Sequence, residues 1–388
     1  VQFQELEKII NHDIDYGFSG IAVNICHRGE NIYQKSHGFS YKYNSCGQKL
    51  DSPQVLKENM LFDIASLTKI FATTYALMYL YERNLVDLDL PIDGYISNFK
   101  FEGTNYIPTC RDLLSHKSGL APAFNFYDES EAGELFSQDR DKTIKFLTTK
   151  MKPQHSANKY CIYSDIGMKI LGLVIETITN QRLDKFVEQH IYEKLDLKNT
   201  CFDPLDNDYN SDEIVATQLD GHTNLGNTKF ANIKTHTLRG EVHDEKALYS
   251  MGRVAGHAGL FSTIDDISKL SKLLFEDNEL FSQKTVARFS EQCAIDKTFA
   301  LGFWTANGRR TRNSFGELCS NQTIGHTGFT GQCFIFDPVN KISIVIMTNS
   351  VHSPIIYPRV FSGKTFQSGK YACLIDSIYK DLKVGTKS

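Results

Sequence analysis

The placement of strand-like segments constrains this chain more than any other feature. Alternating runs Ile21–His27 and Asn31–Gly38 flank Arg28-Gly29-Glu30 near the N-terminus, a strand–turn–strand pattern with glycine at the tight turn. The next such pair, Gln332–Asp337 and Ile342–Thr348 around Pro338-Val339-Asn340, waits until the C-terminal quarter. Between about 66 and 290 the apolar spacing is mostly helical and broken by long polar loops, with helical pieces at Cys110–His116, Thr143–Met151, Ile166–Thr179 and Leu183–Lys194. A further helix is expected from Ser262-Thr263 to Phe275, with Asp266 three after Thr263 as a capping-box-like pair. Terminal helices are expected from Phe3 to about Ile14 and from Gly369 to Leu382. Strands at both ends with helices between them predict an α/β (α+β) fold, in which an antiparallel sheet assembled from both termini is flanked by helices and carries a mainly helical insert. The expected division is a sheet domain of 1–60 with 295–388 and a helical domain of 61–294, with the active site between them.

Composition narrows the function. A net charge of -4 over 388 residues leaves no basic footprint for nucleic acid, and the scattered Lys and Arg form no patch for a membrane surface. Ile70–Tyr81, the most apolar stretch, is too short to cross a bilayer, so no transmembrane segment is expected. The nine cysteines are dispersed without a C-x-x-C, which argues against a disulfide framework or a cysteine zinc site and favours a cytoplasmic, reducing compartment. A chain starting at Val1 leaves a periplasmic or secreted location open if a leader is removed. Twelve histidines without H-E-x-x-H spacing give no metal expectation. Gly363-Lys364-Thr365 looks like the end of a P-loop, but Pro358 stands where that loop needs glycine. Trp304 reads as core packing near the last strands, with a cleft wall as the alternative.

Ser-x-x-Lys occurs four times, at Ser66–Lys69, Ser97–Lys100, Ser156–Lys159 and Ser377–Lys380. Ser66 differs from the others because it stands where an apolar segment turns into a long apolar helix. Backbone N–H groups and the positive helix end there favour an oxyanion. Three residues on, Lys69 shares its face and can reach the hydroxyl. A lysine desolvated near another cation loses basicity and can accept the serine proton. An N-cap role for Ser66 fits the same pattern. Tyr163-Ser164-Asp165 then opens a helical run, and a phenol beside a lysine can work as general acid and base if its pKa falls below about 10. Gly325-His326-Thr327-Gly328-Phe329-Thr330-Gly331 leads into a strand, its glycines allowing a ligand backbone close to the edge.

In this order, Ser66-Leu67-Thr68-Lys69, Tyr163-Ser164-Asp165 and His326-Thr327-Gly328 resemble the three motifs of the serine β-lactamase and penicillin-binding-protein family, particularly its class C and D-alanyl-D-alanine-carboxypeptidase-type branch. Arg111–Leu120 is similar to that family's RDLLSHTSGL stretch, and Ala258–Thr263 with Asp266 to its GGLFST loop, so the likeness covers roughly residues 18 to 350. The resemblance implies a hydrolase in which Ser66 is acylated, Lys69 and Tyr163 move its proton, and the N–H groups of Ser66 and Phe329 form an oxyanion hole. Asp165, His326, Thr327 and Gly328 would line the substrate, and no cofactor or metal is implied. Two departures narrow the substrate: His326 stands where class C enzymes have lysine, and Asp165 replaces an asparagine, losing an amide donor. Both favour a D-Ala peptide, muropeptide amide or ester over a β-lactam. Arg239-Gly240-Glu241-Val242-His243-Asp244 with Gly256-His257-Ala258-Gly259 resembles a branch tied to muropeptide hydrolysis, which makes His243 a further substrate-binding candidate. A solvated loop is the alternative. The partner expected is a small-molecule or peptide substrate.

Overall fold

The computed structural model describes residues 2–222, 229–357 and 360–384. In chain order its main strands are β1 (Gly20–His27), β2 (Glu30–Tyr43), β3 (Lys49–Val55), β4 (Phe62–Asp63), β5 (Cys201–Phe202), β6 (Leu260–Ser262), β7 (Trp304–Thr305), β8 (Ile324–Gly328), β9 (Gln332–Asp337) and β10 (Ile342–Thr348). Seven of them form one antiparallel sheet in the order β3-β2-β1-β10-β9-β8-β7. The two hairpins read from the sequence meet at its centre, where Ile21 lies opposite Thr348 and His27 opposite Ile342. The fold is therefore the α+β arrangement expected, with a central antiparallel sheet built from both chain ends and helices against it.

Strand alternation explains how the sheet is covered. Successive side chains point to opposite faces, so Ile21, Val23 and Ile25 pack with Ile344, Ile346 and the terminal helices Gln4–Asp15 and Ala372–Leu382, through Leu6, Ile10, Leu374 and Ile378. Ala22, Val345, Met347, Phe334 and Phe336 face the larger core of the helical segment, which includes Phe71 and Tyr75. Each fully buried Ile or Leu stabilises by roughly 1.5–3 kcal/mol, so both faces are fastened.

The structure differs from expectation in several places. The segment from 61 to 294 also carries short strands that were not expected, β4, β6 and β5, which make a small second sheet. The glycine-flanked segment leads into a strand as expected, β9 starting at Gln332, but its His-Thr pair also lies on a strand of its own, β8, paired with β9 through His326 opposite Phe334. Thr263 caps its helix, Ile264–Lys272, but Asp266 does not complete the box; its carboxylate instead accepts from the Asn199 N–H at 2.9 Å and the Thr200 hydroxyl at 3.0 Å. No helix among the described residues is long and apolar enough to cross a membrane. All nine cysteines are free thiols, with Cys161 and Cys293 in contact at 3.5 Å.

Candidate active site

The turn that carries Ser66 is shaped by a buried carboxylate. Asp63 ends β4 and accepts the Ala65 N–H on Oδ1 at 2.8 Å and the His243 N–H on Oδ2 at 2.7 Å. Ala65 is thereby held at φ 46°, a left-handed conformation unusual for a residue with a Cβ. Burial pushes the Asp63 carboxyl up to about 6, even though both N–H bonds oppose the shift. Ser66 follows in a 3₁₀ turn, Ala65–Leu67, and Lys69 opens a π-helical stretch, Lys69–Thr74, that continues as the α-helix Tyr75–Glu82. The Thr74 hydroxyl donates to the Lys69 carbonyl at 2.7 Å across that widened turn. Wide turns of this kind recur at functional sites.

Around Ser66 the three expected groups meet. Lys69 Nζ lies 2.9 Å and Tyr163 Oη 3.0 Å from Ser66 Oγ. Tyr163 comes in from the loop before the helix Asp165–Thr179, whose N-cap is Ser164. The other three Ser-x-x-Lys matches do not reproduce this contact among the described residues. Lys69 also donates to the His257 carbonyl at 2.9 Å and meets Asp165 Oδ1 at 2.9 Å, so all three ammonium hydrogens have an acceptor.

The acid–base expectation needs correction here. Lysine beside another cation was to lose basicity. Burial is the largest influence and pushes Lys69 down, but Asp165 and Tyr163 together outweigh it and the net shift is upward. The Tyr163 phenol is likewise raised, chiefly by burial, although Lys69 opposes that shift. In the resting site Lys69 is an ammonium and Tyr163 a neutral phenol. Asp165, expected as a substrate contact, is foremost the counter-ion of Lys69. Burial would raise its carboxyl, but Lys69 and Lys246 hold it below the usual range.

The pair belongs to a closed circuit. Asp165 Oδ2 lies 3.6 Å from Lys246 Nζ, which lies 2.8 Å from Asp244 Oδ2. Asp244 Oδ1 accepts from His257 Nε2 at 2.9 Å, and the His257 carbonyl returns to Lys69. Burial holds the His257 ring down at about 4, so it is a neutral donor. Asp165, Asp244 and His257 bring ligand atoms within 4.8 Å of one another and are a cluster able to hold a metal. Two ammonium groups already neutralise both carboxylates, and a dication would have to displace them.

Two cavities open on either side of Ser66. One, of about 340 Å³, is lined by Asn125, Tyr127, Asp165, His243, Asp244 and Lys246. The other, of about 470 Å³, is lined by Trp304, His326, Thr327, Gly328, Lys364 and Tyr371, and Ser66, Tyr163 and Phe329 border both. β8 reaches the nucleophile because Gly328 has no side chain: a Cβ there would come within 2.8 Å of the Ile64 carbonyl oxygen. His326 is buried, donates from Nδ1 to the Thr327 carbonyl at 2.7 Å, and is kept neutral by burial, which lowers it to about 3. Phe329 follows β8 and packs its ring against His243 at 5.4 Å.

The Arg239–Asp244 segment does not act as one cluster. Arg239 turns to Asp212 at 3.2 Å, and Glu241 pairs with Lys234 at 2.9 Å and with His236. His243 and Asp244 reach the cavity, with His243 Nε2 at 3.4 Å from Gln218. Trp304 is a cleft wall and not core: it is half-buried on β7 and stacks on His326 at 4.2 Å. Sequence reasoning missed Asp63, Lys246, the His257 ring and Lys364. For Lys246 the one available signal was its place two residues after Asp244.

Comparison with known proteins agrees with this geometry. The family described as Beta-lactamase matches residues 5–356. An N-acetylmuramyl-L-alanine amidase of Bacillus subtilis (strain 168) is 38% identical over 398 residues, covering 98% of this chain and 89% of its own length. Among solved structures, the octameric penicillin-binding protein homologue from Pyrococcus abyssi superposes with a TM-score of 0.68 at 18% identity, covering 99% of this chain and 78% of that one. The D-amino acid amidase from Ochrobactrum anthropi SV3 gives 0.66 at 18% identity, covering 98% and 99%. With a relative this similar along nearly its whole length and a family match from residue 5 to 356, this chain belongs to the beta-lactamase family and is a serine hydrolase of the β-lactamase and penicillin-binding-protein type.

Proposed function

We propose that this chain hydrolyses an amide in a cell-wall-derived muropeptide through an acyl-enzyme on Ser66. The observation that carries the reading is the convergence of Lys69 Nζ and Tyr163 Oη on Ser66 Oγ, at 2.9 and 3.0 Å, between two cavities able to take the two halves of a substrate. The similarity to a muramyl amidase supports the choice of amide. The cleft lies, in this reading, where the sheet-bearing segments 1–60 and 295–388 meet the mainly helical segment 61–294.

The protonation states dictate the route. Lys69, held as an ammonium by Asp165, cannot take the serine proton; it donates to Ser66 Oγ and steadies the negative charge that forms there. Tyr163 accepts the serine proton as it passes its own to the leaving nitrogen, so a free phenolate is never required. Water then attacks the acyl carbonyl, giving a proton to Tyr163 as Tyr163 returns its own to Ser66 Oγ, so the serine leaves as a hydroxyl and Tyr163 ends as it began. The N–H groups of Ser66 and Phe329 serve as the oxyanion hole, each worth about 2.7–4 kcal/mol in such sites. His326, Thr327 and Gly328 line the substrate along β8, while Asp165 and His243 border its other half.

The test compares turnover of a muropeptide amide, a D-Ala-D-Ala peptide, nitrocefin and a p-nitrophenyl ester by the wild type and by Ser66→Ala. A muropeptide preference and an intact-mass adduct lost in Ser66→Ala are expected. An adduct that persists in the variant overturns Ser66 as nucleophile, and preference for one of the other three substrates overturns the muropeptide assignment.

A further inference from the structure

The cavity beside β8 contains one cation and no carboxylate among its described lining residues. That cation is Lys364, in the turn Ser362–Thr365. The turn is firmly seated: the Gly363 N–H donates to the Ser353 hydroxyl at 2.9 Å, and a Cβ on Gly363 would come within 2.1 Å of the Ser350 carbonyl oxygen. The ammonium stands 3.6 Å from the centre of the Phe329 ring and 5.5 Å from that of Phe361. Ring faces steady a cation, but they do not neutralise it. Among the described residues it has no ion pair and no hydrogen bond. The motif's own His326 cannot supply charge there, because its ring is buried and neutral.

A partly buried ammonium that keeps some contact with solvent but has no counter-ion is favourably placed to take one from a ligand. On the opposite side of Ser66 the lining includes Asp165, Asp244 and Glu245 together with Lys246, so an anionic substrate group is disfavoured there. We infer that Lys364 is the anion-reading residue of this cleft, taking a carboxylate from the substrate part that lies along β8 on that side of Ser66. The inference rests on the serine-hydrolase reading of the site and names the charge its substrate carries. The carboxylate has two possible sources in a peptide, the terminal α-carboxylate or an acidic side chain.

Two measurements decide it. The first compares kcat/KM for 4-acetoxybenzoate and its methyl ester, which share an acyl group and differ only in leaving-group charge. The wild type and Lys364→Arg are expected to favour the anionic ester at least tenfold, and Lys364→Met to lose that preference, read in each protein as the ratio of the two esters. The second titrates N-acetylmuramyl-L-alanine, its carboxamide and N-acetylmuramyl-L-alanyl-D-isoglutamine into Ser66→Ala protein, with and without Lys364→Met. Tighter binding of the first ligand than of the carboxamide assigns the α-carboxylate, and a larger gain for the third assigns the side chain. Either gain must vanish in Lys364→Met. A wild type with no charge preference in both assays, or a preference that survives Lys364→Met, overturns the inference. The ester pair separates this from the muropeptide assignment, since it reads Lys364 even if no muropeptide is cleaved, and Ser66→Ala turnover of the neutral ester reads the nucleophile alone.

Discussion

The two cavities share Ser66, Tyr163 and Phe329, yet they treat charge in opposite ways. Beside Asp165 the lysines are matched: Lys69 with Asp165 at 2.9 Å, and Lys246 with Asp244 at 2.8 Å. Beside β8 the one ammonium among the described lining residues rests on aromatic rings, with no carboxylate among them. Charge that fixes protonation during a reaction has to be neutralised before substrate arrives, because its partner sets its pKa. Charge that recognises a substrate is most discriminating when its partner is the substrate itself. The same residue type therefore does two kinds of work in two cavities that share Ser66.

The largest break in that contrast comes from unpairing the matched side. Asp165→Asn removes the counter-ion that keeps Lys69 protonated, and kcat is expected to fall roughly 10²–10³-fold, the scale of losing one transition-state donor. Steady-state kinetics with circular dichroism as a folding check reads this, and a variant at the wild-type rate would show the pair to be inert. Next, Lys246→Met leaves Asp165 and Asp244 facing each other with too little positive charge, costing about 3 kcal/mol of stability, read from urea denaturation; an unchanged midpoint refutes the circuit. Gly328→Ala forces β8 away from the Ile64 carbonyl, and a shift of that kind costs about 10²-fold in turnover while the melting curve stays close to wild type.

The smallest effect sharpens the unmatched side. Burial lowers Lys364 to about 8, so its charge is present below that pH and lost above it. The groups facing it are the rings of Phe329 and Phe361, with Tyr163, His326 and Tyr371 elsewhere in the cavity, none of them charged near pH 8. The preference for the anionic ester is expected to decline about tenfold between pH 7 and pH 9, the slope of one titrating group. A flat ratio across that range counts against Lys364 as the reader.

How much of this was legible in sequence depended on whether the signal was local. The β9–β10 hairpin was readable residue for residue, because β-branched and aromatic runs around a Pro-Val-Asn turn are properties of adjacent positions. Ser66, Lys69 and Tyr163 were readable because their order along the chain is distinctive. β3, with half its residues exposed and a polar composition, gave no alternation to detect. The basicity of Lys69 was misjudged since its decisive neighbour, Asp165, is distant in sequence and was assigned to substrate. Lys246 and Lys364 were invisible for a related reason: a lysine in a polar loop gives no hint of whether folding will hand it a partner or withhold one. Trp304 was taken for core because an aromatic near a strand usually is, whereas the short β7 leaves one of its faces to the cleft.

Asp63 has a consequence that reaches beyond a single catalytic cycle. One of its oxygens sets the pitch of the nucleophile turn and the other anchors His243 in the wall of the cavity beside Asp165. A substitution that widens that wall therefore tilts the serine as well, and the two traits are inherited as one. Lys364 hangs from a turn that neither of these two bonds holds, and it meets the site through the Phe329 ring. A change in that turn can therefore alter the charge read beside β8 while both Asp63 bonds stay in place.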